Sequence, residues 1–226
     1  MRGPQLVSSK FIRQEASRSA ADGEHARIIM DRFSILRTRI LREMRNHGWR
    51  RLAVVPLTKG AGGTFVAINL ALALSRQKQT EVILMDLDFG DPSVSAELGV
   101  PGCEPVTDAI LQGHRLSDLV NIVEEAPNLS ILVPGHAEPD AAELIQSEDF
   151  SKAMTDLRNH YPASIEIIDT APLIGGDMAL ATLPLADAML LVADGREGTA
   201  ADMTLAQRLL KDMPPVMGVV LNKSED

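Results

Sequence analysis

Three segments of the chain place residues suited to phosphate or metal chemistry directly after short apolar runs. Thr58-Lys59-Gly60-Ala61-Gly62-Gly63-Thr64 follows Leu52 to Leu57 and leads into Phe65-Val66-Ala67-Ile68-Asn69-Leu70-Ala71. Glycines let the backbone approach an anion closely, and the first N–H groups of a following helix point outward toward it. The same glycines also serve as a plain tight turn between strand and helix. Asp86-Leu87-Asp88-Phe89-Gly90-Asp91-Pro92 follows Val82 to Met85, and Asp169-Thr170-Ala171-Pro172 follows Ile165 to Ile168. A hard cation such as Mg²⁺ beside phosphates takes one or two carboxylates, a hydroxyl and waters. That chemistry singles out Asp86 and Asp169, with Thr64 as the hydroxyl. Asp88 is a further candidate, although it and Asp91 also suit the capping of a following turn.

The elements that must position these residues are legible as alternating patterns. Leu52 to Leu57, Val82 to Met85, Leu129 to Val133, Ile165 to Ile168, Ala188 to Val192 and Val216 to Leu221 read as strands. Helical patterns lie near Thr64 to Arg76, Val106 to Leu111, Asp149 to Asn159 and Ala200 to Lys211. Strands alternating with helices predict an α/β fold with a mostly parallel sheet covered on both faces. Ligands of such sheets bind beyond the carboxyl ends of the strands, where the glycine segment and the carboxylates fall. The last strand ends there too, at Leu221-Asn222. Ahead of the first strand, Ile28, Ile29, Phe33, Leu36, Ile40, Leu41 and Met44 line one face of an amphipathic helix from about Ala26 to Asn46. The segment 1–22 is polar and aperiodic and is expected to be a flexible basic arm, leaving 23–226 as a single domain.

Composition bounds the function. The chain has 226 residues, 45% hydrophobic and 23% charged, enough to bury a core without metal or disulfide staples. The single Cys103 forms no internal bridge, no apolar run approaches a membrane span, and the first 25 residues hold no signal-peptide core. A cytoplasmic protein is expected. Aromatics at 3% and a net charge of −9 argue against a nucleic-acid surface. The charge is uneven: residues 1–51 carry 12 Lys and Arg against 5 Asp and Glu, and the remainder carries 10 against 26. A basic front before an acidic body reads either as a solvated arm and helix face or as a docking element for a neighbouring subunit or a membrane surface.

These residues resemble the cytoplasmic domain of bacterial tyrosine kinases of the capsular exopolysaccharide family. Those kinases are P-loop proteins related to cell-division and plasmid-partition ATPases. Gly60 to Ala71 is similar to the family's GEGKSTxAxNLA loop, and Val82 to Pro92 to its VLLIDxDxRxP segment. Ile167 to Pro172 resembles its IIDTPP run, and Met217 to Asn222 its terminal GVVLN. The resemblance implies a P-loop fold that binds ATP or ADP with Mg²⁺. Gly60, Ala61, Gly62, Gly63, Thr64 and Phe65 would surround the phosphates, Thr64, Asp86 and Asp169 the metal, and Asn222 would lie near the adenine. It also implies a membrane polysaccharide co-polymerase as partner, docking at the inner face of the membrane, and a homo-oligomer formed through the N-terminal helix.

The departures fall in the chemistry. Gly63 stands at the family's lysine, Phe65 at its second loop hydroxyl, and Gly90 at an arginine. Lys59 is a displaced cation or a solvated loop residue. The only tyrosine, Tyr161, lies between a helix and a strand rather than in a tyrosine-rich tail. The ExxRxxR oligomerisation pattern reads Asp31 to Arg37, with one of two arginines kept. Three functions therefore fit. One is a kinase-like regulator, a pseudokinase of exopolysaccharide export with weak or absent nucleotide binding. Another is an active Mg·ATP-dependent tyrosine kinase or ATPase using Asp86 as base or metal organiser. The third is a partition-type positioning ATPase.

Overall fold

The computed structural model describes residues 5–12, 23–100, 105–138 and 141–224. Cys103 and the remainder of the expected arm, 1–4 and 13–22, lie outside the described residues. In chain order the elements are β1 (Gln5–Val7), α1 (Gly23–His47), β2 (Arg51–Pro56), α2 (Gly63–Ser75), β3 (Val82–Asp86) and α3 (Val94–Leu98). Then follow α4 (Val106–Leu111), β4 (Asn121–Val123), β5 (Leu129–Leu132), α5 (Ala142–Ile145), α6 (Glu148–His160) and β6 (Ile165–Asp169). The chain closes with α7 (Met178–Thr182), β7 (Ala188–Asp194), α8 (Ala200–Leu209) and β8 (Val216–Asn222). The strands form one eight-stranded sheet in the order β1-β4-β5-β3-β6-β2-β7-β8. Every pairing is parallel except β4 with β5.

The central strands are apolar runs because both of their faces are covered. Along β2 and β3, Ala53, Val55, Ile83 and Met85 enter one core, which Phe150, Met154 and Leu157 of α6 complete. Leu52, Val54, Val82 and Leu84 point the other way, into a core closed by α2 and by Ile40, Leu41 and Met44 of α1. Helix α2 lies between the sheet and α1, so it is apolar nearly all round. Arg37 of α1 donates to the carbonyl of Ala73 at 3.2 Å, fastening α1 to the last turn of α2. The apolar stripe expected on α1 is buried only in its second half. Phe33 and Leu36 are half-buried against the core, and Ile28 is exposed. Tyr161 is half-buried against the first core, with its ring edge-on to His160.

Residues 5–12 correct the expectation of a free arm. β1 runs parallel to β4, with Leu6 opposite Ile122. Ser9 is fully buried; its hydroxyl donates to the Leu98 carbonyl at 2.7 Å and its N–H to Glu125 at 2.7 Å. A three-residue strand carries too little periodicity to be read from sequence, and a serine reads as polar loop until its partners are known. The expected boundary at 22/23 thus does not separate the sheet from what precedes it.

At the amino ends of the central strands the register places Arg51 of β2 opposite Glu166 of β6. The two form a buried ion pair, and Arg51 also donates to the carbonyls of Met154 at 3.0 Å and Leu185 at 3.2 Å. Beside it, Asp187 accepts from the N–H groups of Arg50 and Arg51 at 2.7 and 2.8 Å and from the guanidinium of Arg158. Removing one partner of a buried pair strands the other charge, at a cost of about 3–5 kcal/mol. Arg51→Met is therefore expected to lower the urea midpoint sharply, and Arg51→Met combined with Glu166→Gln to recover most of the loss. Equal midpoints for the single and double variants would contradict this role.

Candidate functional site

The glycine segment follows β2 at the carboxyl edge of the sheet. Its turn is closed by the Ala61 N–H on the Thr58 carbonyl at 3.1 Å, with Gly60 at φ 83° and Gly62 at φ 88°. Those two positions need glycine for backbone reasons. Gly63 has no positive φ and is the first residue of α2. No side chain caps α2, so its first N–H groups remain open to an anion. A cavity of about 560 Å³ lies against this loop and is bounded by Asp88, Ser93, Thr170 and Ala171 among others.

The two carboxylates end the neighbouring strands β3 and β6. The register of β3 on β6 sets Asp86 beside Asp169, each 1% exposed. Asp86 is fully engaged: one oxygen accepts from the Asp88 N–H at 3.2 Å, the other from the N–H groups of Ser93 and Val94 at 3.0 Å each. It organises the turn that leads into α3. Both oxygens of Asp169 are buried without a hydrogen-bond partner. Of the two, Asp169 keeps free lone pairs for a cation or its water shell. Thr64 shares a hydrogen bond with Ser93 at 2.8 Å, so its hydroxyl stands between the loop and the β3 turn.

Sequence and structure agree on the gathering of Gly60 to Thr64, Asp86, Asp88 and Asp169 at one edge. Lys59 borders the cavity and pairs with Asp91 at 3.0 Å, both side chains mostly exposed. Two residues that sequence reasoning passed over hold the loop from behind: Lys223, just after β8, donates to the Gly60 carbonyl at 2.6 Å and to Asp194 at 2.8 Å. Asp194 also accepts from the N–H groups of Arg196 and Glu197, and the Lys223 hydrogen bond foremost draws its pKa down to about 2. Asn222 donates to the Ala61 carbonyl at 2.9 Å and borders a second cavity of about 510 Å³ on the far side of the loop, with Phe33, Leu36 and Val66. Phe65 lies on the rim of both cavities, edge-on to Phe33 at 6.0 Å between ring centroids. The signal that would have found Lys223 and Asp194 is only their place at the carboxyl ends of neighbouring strands. Ser93 had none beyond its nearness to Asp91.

Among the described residues no cluster of three or more His, Cys, Asp or Glu side chains could hold a metal by itself. Thr64 and Asp169 fit instead a Mg²⁺ whose remaining ligands are waters and phosphate oxygens, with Asp86 ordering the turn beside them. Burial pushes the Asp86 carboxyl up to about 7, against its backbone hydrogen bonds. Burial, and then the Asp86 charge, raises Asp169 as well, with the nearby Thr64 hydroxyl opposing. Carboxyls raised in the folded state hold protons there that the unfolded chain has released, because unfolded Asp titrates near 3.9. The favourable contribution of Asp86 is therefore present at low pH and is lost as pH rises from about 4 through about 7, and that of Asp169 is likewise lost as pH rises. Asp169→Asn is expected to flatten that decline, so that in the presence of a chelator its unfolding midpoint falls less than the parent's as the pH is raised from about 4 to about 9. A fall as steep as the parent's over that range would refute the strain assigned to this carboxylate.

No family model matches the chain. Over 196 residues it is 24% identical to a Staphylococcus aureus protein assigned as the tyrosine-protein kinase CapB, covering 86% of this chain and 84% of the relative. Among solved structures, the chimerical protein CapA2B2 superposes with a TM-score of 0.79 at 21% identity, over 99% of this chain and 95% of that one. The VpsO kinase domain superposes with 0.75 at 24% identity, over 88% and 98%. The septum site-determining protein MinD of Pyrococcus horikoshii, solved with Mg-ADP, gives 0.62 at 21% identity, over 78% and 72%. In sequence the chain is similar to a tyrosine-protein kinase, and its P-loop fold is similar to those of bacterial tyrosine-kinase domains and of a MinD ATPase.

Proposed function

We propose that this chain is a kinase-like regulator within a capsule or exopolysaccharide system, holding Mg·nucleotide weakly and transferring no phosphate to tyrosine. The observation that carries the reading is the charge balance of the loop. Position 63 has no side chain, Lys59 at the cavity's edge shares its charge with Asp91 in a solvent-exposed pair, and Lys223 is held by Asp194 and by the carbonyl of Gly60. In P-loop enzymes the lysine sits on the β- and γ-phosphates and neutralises charge that develops during transfer. Loss of one such donor costs about 3 kcal/mol, more than a hundredfold in rate. What remains fits binding rather than catalysis: open N–H groups at the start of α2, the Thr64 hydroxyl, and the unpartnered Asp169 carboxylate. The bound Mg²⁺ would supply charge neutralisation at the phosphates.

The likeness to CapB and to the CapA2B2 chimera supports a membrane co-polymerase as the partner of such a regulator, met at the inner face of the membrane. No helix among the described residues is long and apolar enough to cross a membrane. Self-association through α1 draws little support from Arg37, whose guanidinium already serves α2.

Calorimetric titration with Mg·ADP and Mg·ATP tests the reading, together with mass spectrometry of Tyr161 after incubation with Mg·ATP. The expected result is micromolar or weaker binding that falls at least about tenfold, or 1.4 kcal/mol, in Thr64→Ala, with no phosphotyrosine. Phosphate on Tyr161 that disappears in Asp86→Ala would establish the active kinase instead. Tight binding indifferent to Thr64 and Asp169 would exclude the loop as the site.

A further inference from the structure

We propose that Pro56, the last residue of β2, keeps position 63 free of any side chain and thereby fixes the phosphate loop in its lysine-free form. Gly63 is buried, and its φ is one that any residue adopts, unlike Gly60 and Gly62. Its glycine is therefore there for space. A Cβ built on it would lie 2.8 Å from both Cδ and Cγ of Pro56 and 3.1 Å from its Cβ. Distances under 3.0 Å are essentially never found for a real Cβ, so either the strand or the helix must shift before any side chain fits.

Neither side yields easily. The Pro56 ring is rigid, with its φ fixed by the pyrrolidine. Its carbonyl accepts the Leu173 N–H at 2.8 Å, and the next residue, Leu57, donates to Val192 at 2.9 Å and accepts from Ile174 at 3.0 Å. β2 is an interior strand, held between β6 and β7. On the other side, Val66, Ala67 and Leu70 of α2 are buried in the core beneath α1. Proline is uncommon in an interior strand because it cannot donate to the ladder, and here it stands at the strand's last position, facing the loop. The steric bar applies to lysine as much as to alanine, because it acts at the Cβ and not at the ammonium. The replacement at position 63 is thus matched by a second residue seven positions upstream, and reversing the first alone cannot rebuild the cation site.

The test separates this contact from nucleotide binding. In the first arm, Gly63→Ala, Pro56→Ala and the double variant are unfolded thermally without nucleotide. Helix propensity alone makes alanine at the start of α2 neutral or favourable. Overpacking against Pro56 instead lowers the midpoint of Gly63→Ala by roughly 5 °C, and most of that drop vanishes in the Pro56→Ala background, which lacks the two nearest atoms. A midpoint unchanged or raised by Gly63→Ala overturns the proposal. The second arm rests on the loop being a nucleotide site, and it titrates Mg·ATP and Mg·ADP into Gly63→Lys with and without Pro56→Ala. The double variant is expected to gain at least about tenfold for ATP over ADP, and Gly63→Lys alone to gain nothing. An equal gain in the single variant overturns the interlock. If no variant binds nucleotide, the binding reading fails and the unfolding arm alone decides the interlock.

Discussion

The register of β6 between β2 and β3 is the constraint on which both ends of this molecule depend. One alignment sets Arg51 opposite Glu166 at the amino end and Asp86 opposite Asp169 at the carboxyl end. A slip of one residue would turn every side chain of β6 to the opposite face of the sheet. It would break a buried ion pair and scatter the carboxylates in the same step. The two ends are treated differently by their surroundings. Glu166 is neutralised by a guanidinium, whereas Asp86 and Asp169 lie side by side with burial opposing their charge. The amino end is built to hold the sheet together, and the carboxyl end stores an electrostatic cost that a bound cation would relieve.

That asymmetry gives the acidic composition a location. The net charge of −9 is a statement about solubility and partners, not about fold. What matters at the site is that position 63 offers no ammonium, Lys223 is held by Asp194, and Lys59 at the edge of the cavity shares its charge with Asp91. Under the proposed function a polyphosphate would meet N–H groups there, and a metal would bring the positive charge with it.

The parallel fold was legible because its evidence is repeated: Leu52 to Leu57 and Val82 to Met85 form apolar runs, and Ile165 to Ile168 one broken only by Glu166, each ending in a turn or a carboxylate. The glycine loop was legible because Gly60 and Gly62 are required by the backbone they adopt. The short β1 and β4 were not, since three residues show no period and their pairing spans more than a hundred positions of chain. Gly63 looked like one more loop glycine. Only the placement of the Pro56 ring distinguishes a glycine needed for its φ from a glycine needed for its emptiness. Lys223 and Asp194 were invisible for a similar reason, as their meeting depends on the pairing of β7 with β8.

The tether from Asn222 and Lys223 to the carbonyls of Ala61 and Gly60 ties the loop to β8, the outermost strand on its side of the sheet. All six residues of β2 are buried, while none of the seven in β8 is, and Val216, Val219 and Leu221 are exposed. Edge strands with little burial open at a smaller free energy than the centre of a sheet. The phosphate loop thus takes its rigidity from two sources of unequal strength, a central strand in front and a fraying edge behind. Its amide hydrogens should exchange with solvent in step with those of β8 rather than with those of β2, from which the loop emerges.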